Sequence, residues 1–184
     1  MLGAAWRASG QPAARRCSRS GLYRAASSLV AARVDGPELA RTAGDVEVGQ
    51  RAAAQRTFAQ EDVEAFAEVT CDRNPIHLLP TQDNGFGGKT IVHGMLCAGL
   101  IPALFADRLP GAIYASQTLD FRHPVHPGDT VRVEIIVERK KTLRGTCVVQ
   151  CKTEVAHLDG RAVVAGTARV MLQSDRPATQ DEAK

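Results

Sequence analysis

From residue 91 to residue 109 the chain reads IVHGMLCAGLIPALFADRL, apolar on nearly every face of a helix. Such a helix has to be enclosed by other protein or by lipid. At this length it reads as a helix buried in a fold rather than a membrane span. Gly94 and Gly99 would let another segment approach its backbone, and Pro102 removes an internal hydrogen bond and should bend it. Pro110-Gly111 ends it.

Beyond the helix the chain reads as strands. Residues 112–121 form one, and Pro127-Gly128-Asp129 is a turn. Residues 130–138 alternate, with Val131, Val133, Ile135 and Val137 on one face and Arg132, Glu134 and Glu138 on the other. A third strand covers 146–156 after a turn at Leu143-Arg144-Gly145, and Leu158-Asp159-Gly160 turns into a fourth at 161–172. This spacing is that of an antiparallel meander. A long buried helix followed by antiparallel strands predicts an α+β domain whose sheet wraps the helix.

Before the helix, residues 50–58 form a short strand, and Thr57-Phe58-Ala59-Gln60 has the spacing of a capping box. Val63, Phe66, Ala67 and Thr70 then recur at helical intervals, which predicts a short amphipathic helix over 60–70. Residues 78–89 are a loop containing Asp83-Asn84-Gly85 and Gly87-Gly88. There is no internal repeat.

Both ends differ from this core. Residues 1–34 hold six arginines (Arg7, Arg15, Arg16, Arg19, Arg24, Arg33), many alanines and serines, and no acid before Asp35. That is the composition of a mitochondrial transit peptide, with cleavage expected between 20 and 40. A basic arm for nucleic acid or a membrane surface is the other reading of such a stretch, although it would usually carry lysine as well. The domain is expected at 35–175, with a polar tail at 176–184. Of 184 residues, 23 are cationic and 20 acidic. Without the leader's six arginines the domain keeps 17 cations against 20 acids, a net charge of −3. It therefore has no basic stripe, and nucleic acid is not an expected partner.

The five cysteines, Cys17, Cys71, Cys97, Cys147 and Cys151, are odd in number and form no C-x-x-C pair, which fits a reducing compartment. Cys147 and Cys151 would share the buried face of a strand. His123 and His126 form H-x-x-H, but no further ligand completes a metal site around them.

Chemistry is expected at Asp72-Arg73-Asn74-Pro75-Ile76-His77. Asn74-Pro75 is a turn signal, and the residue before a proline leaves the helical region. Asp72 and His77 can thus leave a helix end together and curl toward one point. A carboxylate and an imidazole so placed can relay a proton near neutral pH. The same two residues also fit a helix cap and a solvated loop histidine. A catalytic reading needs in addition a group that holds an electrophile. Thr90-Ile91-Val92-His93-Gly94-Met95 could supply it.

Together these stretches resemble a known family. Residues 66–77, FAEVTCDRNPIH, resemble the hydratase 2 motif with its core G-D-x-N-P-[LIV]-H. Residues 91–95, IVHGM, resemble the start of that family's central helix. Residues 114–125 with the Pro127-Gly128-Asp129 turn resemble its strand and P-x-x-x-G-D turn. The resemblance runs from about 50 to 172 and points to the R-specific enoyl-CoA hydratases, or MaoC-like family. With its arginine-rich leader, the chain looks most like the mitochondrial 3-hydroxyacyl-thioester dehydratases among them.

The resemblance implies a single hot-dog fold, a long central helix wrapped by a curved antiparallel sheet. It implies a homodimer with its site near the subunit interface, and no metal or redox cofactor. The implied reaction is the reversible loss of water from a (3R)-hydroxyacyl thioester, carried by acyl carrier protein or CoA, to give the trans-2-enoyl thioester. Asp72 and His77 would surround the departing water, and the Gly94 amide would hold the thioester enolate oxygen. Asn74 and Pro75 would support the loop. His93 is expected to be structural and Cys97 a core residue.

Two positions depart from the family pattern. Cys71 stands where glycine precedes the aspartate, which strains the loop if that position needs a positive φ. Leu79 stands where an acid or Asn commonly follows the histidine by two. Three other functions remain open at this point: an R-specific hydratase of fatty acid oxidation, a hot-dog acyl thioesterase, and a non-catalytic acyl-binding protein.

Overall fold

The computed structural model describes residues 29–80, 85–143 and 145–173. The expected leader up to residue 28, Asp83 and Asn84 of the loop, Arg144 of one turn and the polar tail lie outside them. The elements in chain order are β1 (Val30–Ala31), β2 (Arg51–Thr57), α1 (Gln60–Thr70), α2 (Pro75–Leu78), α3 (Gly94–Ala98), α4 (Leu100–Arg108), β3 (Ile113–Gln117), β4 (Asp120–Phe121), β5 (Thr130–Leu143), β6 (Thr146–His157) and β7 (Ala162–Gln173). The strands make one antiparallel sheet in the order β1-β2-β5-β6-β7-β3, with β4 paired to β7.

Alternation decides which face of the sheet is inside. Val131, Val133, Ile135 and Val137 of β5 are buried, as are Cys147, Val149, Cys151 and Val155 of β6. Against that face α4 packs Leu100, Ile101, Leu104 and Phe105. The sheet curls around the helix, which is the hot-dog arrangement expected from the sequence. No described helix is long and apolar enough to cross a membrane.

Several expectations change in detail. The central helix begins at Gly94 rather than 91, and it is interrupted at Gly99. Pro102 is the reason: it has no N–H for the Ala98 carbonyl, and its ring crowds that carbonyl. Nor is the helix enclosed on all sides, since Met95, Gly99, Pro102 and Ala106 form an exposed stripe along it. The expected capping box at 57–60 is instead formed at the other end of the turn. Asp62 Oδ2 accepts from the Ala59 N–H at 3.0 Å, while Ala59 itself has no side-chain acceptor to return the bond.

The expected strand over 112–121 is two strands, β3 and β4. Its middle crosses Gly166 so closely that a methyl group there would lie 1.8 Å from the Thr118 carbonyl oxygen. The strand expected to end at 138 continues to Leu143, past an irregularity in its pairing with β6 between Val137 and Arg139. The P-x-x-x-G-D turn forms as read: Gly128 has φ +96°, and Asp129 Oδ2 accepts from the His126 N–H at 2.9 Å. Val30–Ala31 pairs with Gln55 and Ala54 of β2, so chain within the compositional leader takes part in the sheet.

Candidate active site

Helix α1 delivers the loop. Its C-cap, Cys71, sits at φ 60° and ψ 14°, the left-handed conformation that glycine normally supplies there. The turn beyond it is held by short polar side chains. The Asp72 N–H donates to Thr70 Oγ1 at 3.3 Å, and the Asn74 N–H donates to Asp72 Oδ1 at 3.3 Å. Asn74 then caps α2, its Oδ1 accepting from the Ile76 N–H at 3.3 Å, and Pro75 occupies the first helical position, where a missing N–H costs nothing. Asn74 and Pro75 thus make the local contacts at the start of α2. Leu79 is the C-cap of α2 with 57% of its surface exposed, and it does not line the neighbouring cavity.

Two residues of α2 dock onto the chain just before α3. The Ile91 N–H donates to the Ile76 carbonyl at 3.1 Å, and His77 Nδ1 lies 2.8 Å from the Ile91 carbonyl. A carbonyl only accepts, so Nδ1 carries the proton and His77 Nε2 keeps its lone pair. His77 is buried while Asp72 is half exposed. A carboxylate oxygen of Asp72 and a ring nitrogen of each of His77 and His93 lie within 4.8 Å of one another, close enough for one water molecule to touch all three.

His93 is the residue that sequence reasoning undervalued. Its ring stacks on His77, with centroids 3.7 Å apart and planes at 26°. Its Nε2 lies 3.0 Å from the Asp72 carbonyl oxygen and 4.0 Å from Asp72 Oδ2. Nε2 is therefore the donor nitrogen, and Nδ1 is buried without a hydrogen-bond partner. Three donors of this spacing could also surround a cation, but an Nε2 that gives its proton to a carbonyl is not free to ligate one. His123 and His126 are not part of this group: their Nδ1 atoms meet two separate carbonyls, those of Ala162 at 2.7 Å and Thr90 at 2.8 Å.

Gly94 opens α3, so its N–H is among the first-turn donors that no carbonyl of the helix can reach. A side chain here would meet Phe121, whose ring would lie 2.7 Å from a methyl group on Gly94 and would have to shift. The Phe121↔Val164 pairing between β4 and β7 puts that ring in place. No local pattern reveals this contact, because it depends on the sheet.

These groups surround a cavity of about 410 Å³. Its floor is buried and apolar (Val92, Cys97, Val125, Val163), and its exposed rim includes Asp72, Met95, Phe121, Arg122 and His123. Burial pushes the Cys97 thiol up to about 12, which suits a core residue and not a nucleophile. The arrangement offers an apolar slot, a lone-paired imidazole beside a carboxylate, and a helix-start amide. That combination can move a proton beside a carbon whose neighbouring carbonyl becomes an oxyanion.

Known proteins similar to this chain in sequence and fold belong to one family. The MaoC-like domain family model matches residues 42–157. A 3-hydroxybutyryl-CoA dehydratase of Methylorubrum extorquens is 45% identical over 129 residues, covering 65% of this chain and 80% of that protein. The mitochondrial 3-hydroxyacyl-[acyl-carrier-protein] dehydratase of Arabidopsis thaliana is 41% identical over 137 residues, covering 70% and 82%. Among solved structures, an unliganded R-hydratase of Pseudomonas aeruginosa superimposes with a TM-score of 0.67 at 33% identity, over 85% of this chain and 99% of the other. The chain belongs to the MaoC-like family, and it is an enzyme of the hydro-lyase class.

Proposed function

We propose that the protein interconverts (3R)-hydroxyacyl and trans-2-enoyl thioesters, with Asp72 and His77 handling the water and Gly94 holding the carbonyl oxygen. The observation that carries this is the lone-paired His77 Nε2 beside Asp72 at the mouth of an apolar slot. In the dehydration direction, His77 Nε2 takes the C2 proton as the C2 electron pair moves into the thioester carbonyl. The oxyanion that forms accepts the Gly94 N–H. The pair then returns to make the C2–C3 double bond, the C3–O bond breaks, and His77 gives its proton to the departing hydroxide. One proton and one hydroxide leave as water, and Asp72 accepts a hydrogen bond first from the C3 hydroxyl and then from the water it becomes.

The test uses crotonyl-CoA with residues 29–184. Loss of the enoyl absorbance without release of free CoA supports the reading. Release of free CoA points to a thioesterase, and no change in either signal points to a binding protein.

We further infer that the enzyme serves fatty acid synthesis in mitochondria. Support comes from the acid-free, arginine-rich leader and from the likeness to a plant protein named for that compartment and carrier. The alternative, a CoA-dependent hydratase of fatty acid oxidation, draws on the likeness to the bacterial CoA enzyme. Residues 1–40 fused to a fluorescent protein should enter mitochondria, and a diffuse cytosolic signal would count against the first reading. A homodimer is supported by two features left uncovered among the described residues, the outer edge of β3 and the exposed Met95–Gly99–Pro102–Ala106 stripe. Light scattering at micromolar concentration should give twice the chain mass.

A further inference from the structure

We propose that His93 is a positioning residue that fixes the Asp72–His77 pair to the Gly94 amide as one unit. This rests on the reaction assigned above. His93 stands at the N-cap of α3, yet its side chain makes no capping hydrogen bond. The ring turns away from the helix and reaches back across 21 positions to the Asp72 carbonyl. A histidine retained only to start a helix would aim its acceptor at the first-turn N–H groups. Here the partner is the backbone of the catalytic loop.

The geometry joins both halves of the site within four residues. The Ile91 N–H holds Ile76, the Ile91 carbonyl holds His77 Nδ1, and His93 Nε2 holds Asp72. The next residue is Gly94, whose amide faces the developing oxyanion. The distance between the group that moves the proton and the group that receives the charge is therefore set by this short segment. Such a distance matters steeply, since a displacement of about 1 Å at a reacting centre can cost about 10²-fold in rate.

The stack has a second consequence. His77 becomes an imidazolium in each turnover, and the ring beneath it at 3.7 Å must then be neutral. His93 meets that need because its one proton is committed to the Asp72 carbonyl. Its other nitrogen, Nδ1, is buried without a hydrogen-bond partner. The orphaned acceptor follows from this arrangement: one nitrogen must donate, and a neutral ring has only one N–H.

Three variants separate the roles. His93→Phe keeps a stacked ring and an apolar fit but has no donor. His93→Gln keeps a donor near the Nε2 position but has no ring. His93→Leu has neither. With crotonyl-CoA as substrate, His93→Phe should melt close to wild type while kcat falls about 10²-fold and KM stays within about threefold, because misplacement acts on the chemical step. His93→Gln should recover about tenfold of kcat relative to His93→Leu, even though it places an amide in a core position and melts lower. Full kcat in His93→Phe overturns the proposal, and so does kcat following melting temperature across the three variants. Inactivity of the wild-type enzyme toward crotonyl-CoA would instead sink the assigned reaction.

Discussion

Replacing Cys71 by glycine should stabilise the protein. Cys71 is the only described non-glycine residue with a positive φ, at 60°. An L-residue in that conformation carries a cost of about 1–2 kcal/mol from its Cβ, which glycine does not have. Against this stands the larger backbone freedom of glycine in the unfolded chain, about 0.5–1 kcal/mol. The Cys71 side chain is exposed, so its removal sacrifices no buried contact. The balance is a gain of about 0.5–1 kcal/mol, and for a chain of this size about 1–4 °C in melting temperature. Cys71→Ala is the control: it keeps the Cβ and the strain, and it should shift stability by no more than about 0.5 kcal/mol. Urea titrations of the three proteins measure the difference directly. If Cys71→Gly unfolds at or below the wild-type midpoint while Cys71→Ala is unchanged, the strain argument is wrong.

Asp72→Asn and His77→Gln should each lower kcat by about 10²–10⁴-fold with little change in melting temperature, and the double variant should lose far less than the product of the two; full activity in either single variant would refute the assignment. Gly166→Ala puts a methyl group onto the Thr118 carbonyl, so the β3–β4 connection has to move, at a cost above about 3 kcal/mol, beyond the usual range for overpacking. Because Phe121 and Arg122 follow that connection, turnover should drop along with stability. Stability should also fall as pH rises above 9. Burial pushes the Cys97 and Cys151 thiols from 9.0 to about 12, so their contribution is complete below the unfolded value of 9.0 and is lost progressively between 9 and 12. A urea midpoint that stays flat from pH 8 to 11 would contradict this.

Elements under local chemical control were legible in the amino-acid sequence alone. Alternation along residues 130–138 and 146–156 set the buried face of the sheet, because a strand's side chains point to opposite sides whatever its partners are. Because the side chains of Asp72 and Asn74 and a proline's fixed φ make the turn, it was legible as the carrier of Asp72 and His77. The resemblance to the hydratase 2 motif then assigned them a chemistry. Even the strain at Cys71 could be read as a condition, requiring only the observation that φ is positive there.

Packing settled whatever depends on residues far apart in the chain. The exposed stripe along the central helix emerges only when α4 lies against one sheet face, whereas the break at Gly99 follows from Pro102 alone. Phe121 closes over Gly94 because β4 pairs with β7, and nothing between residues 112 and 121 announces that contact. His93 looked like part of a helix start, the right place for a structural residue. Its ring instead spans 21 positions to the Asp72 carbonyl and stacks on His77, and both contacts exist only once α1, α2 and α3 meet at one point. Sequence pattern reports each residue's own preferences, whereas a hydrogen bond between two loops is set by how the elements that carry them pack.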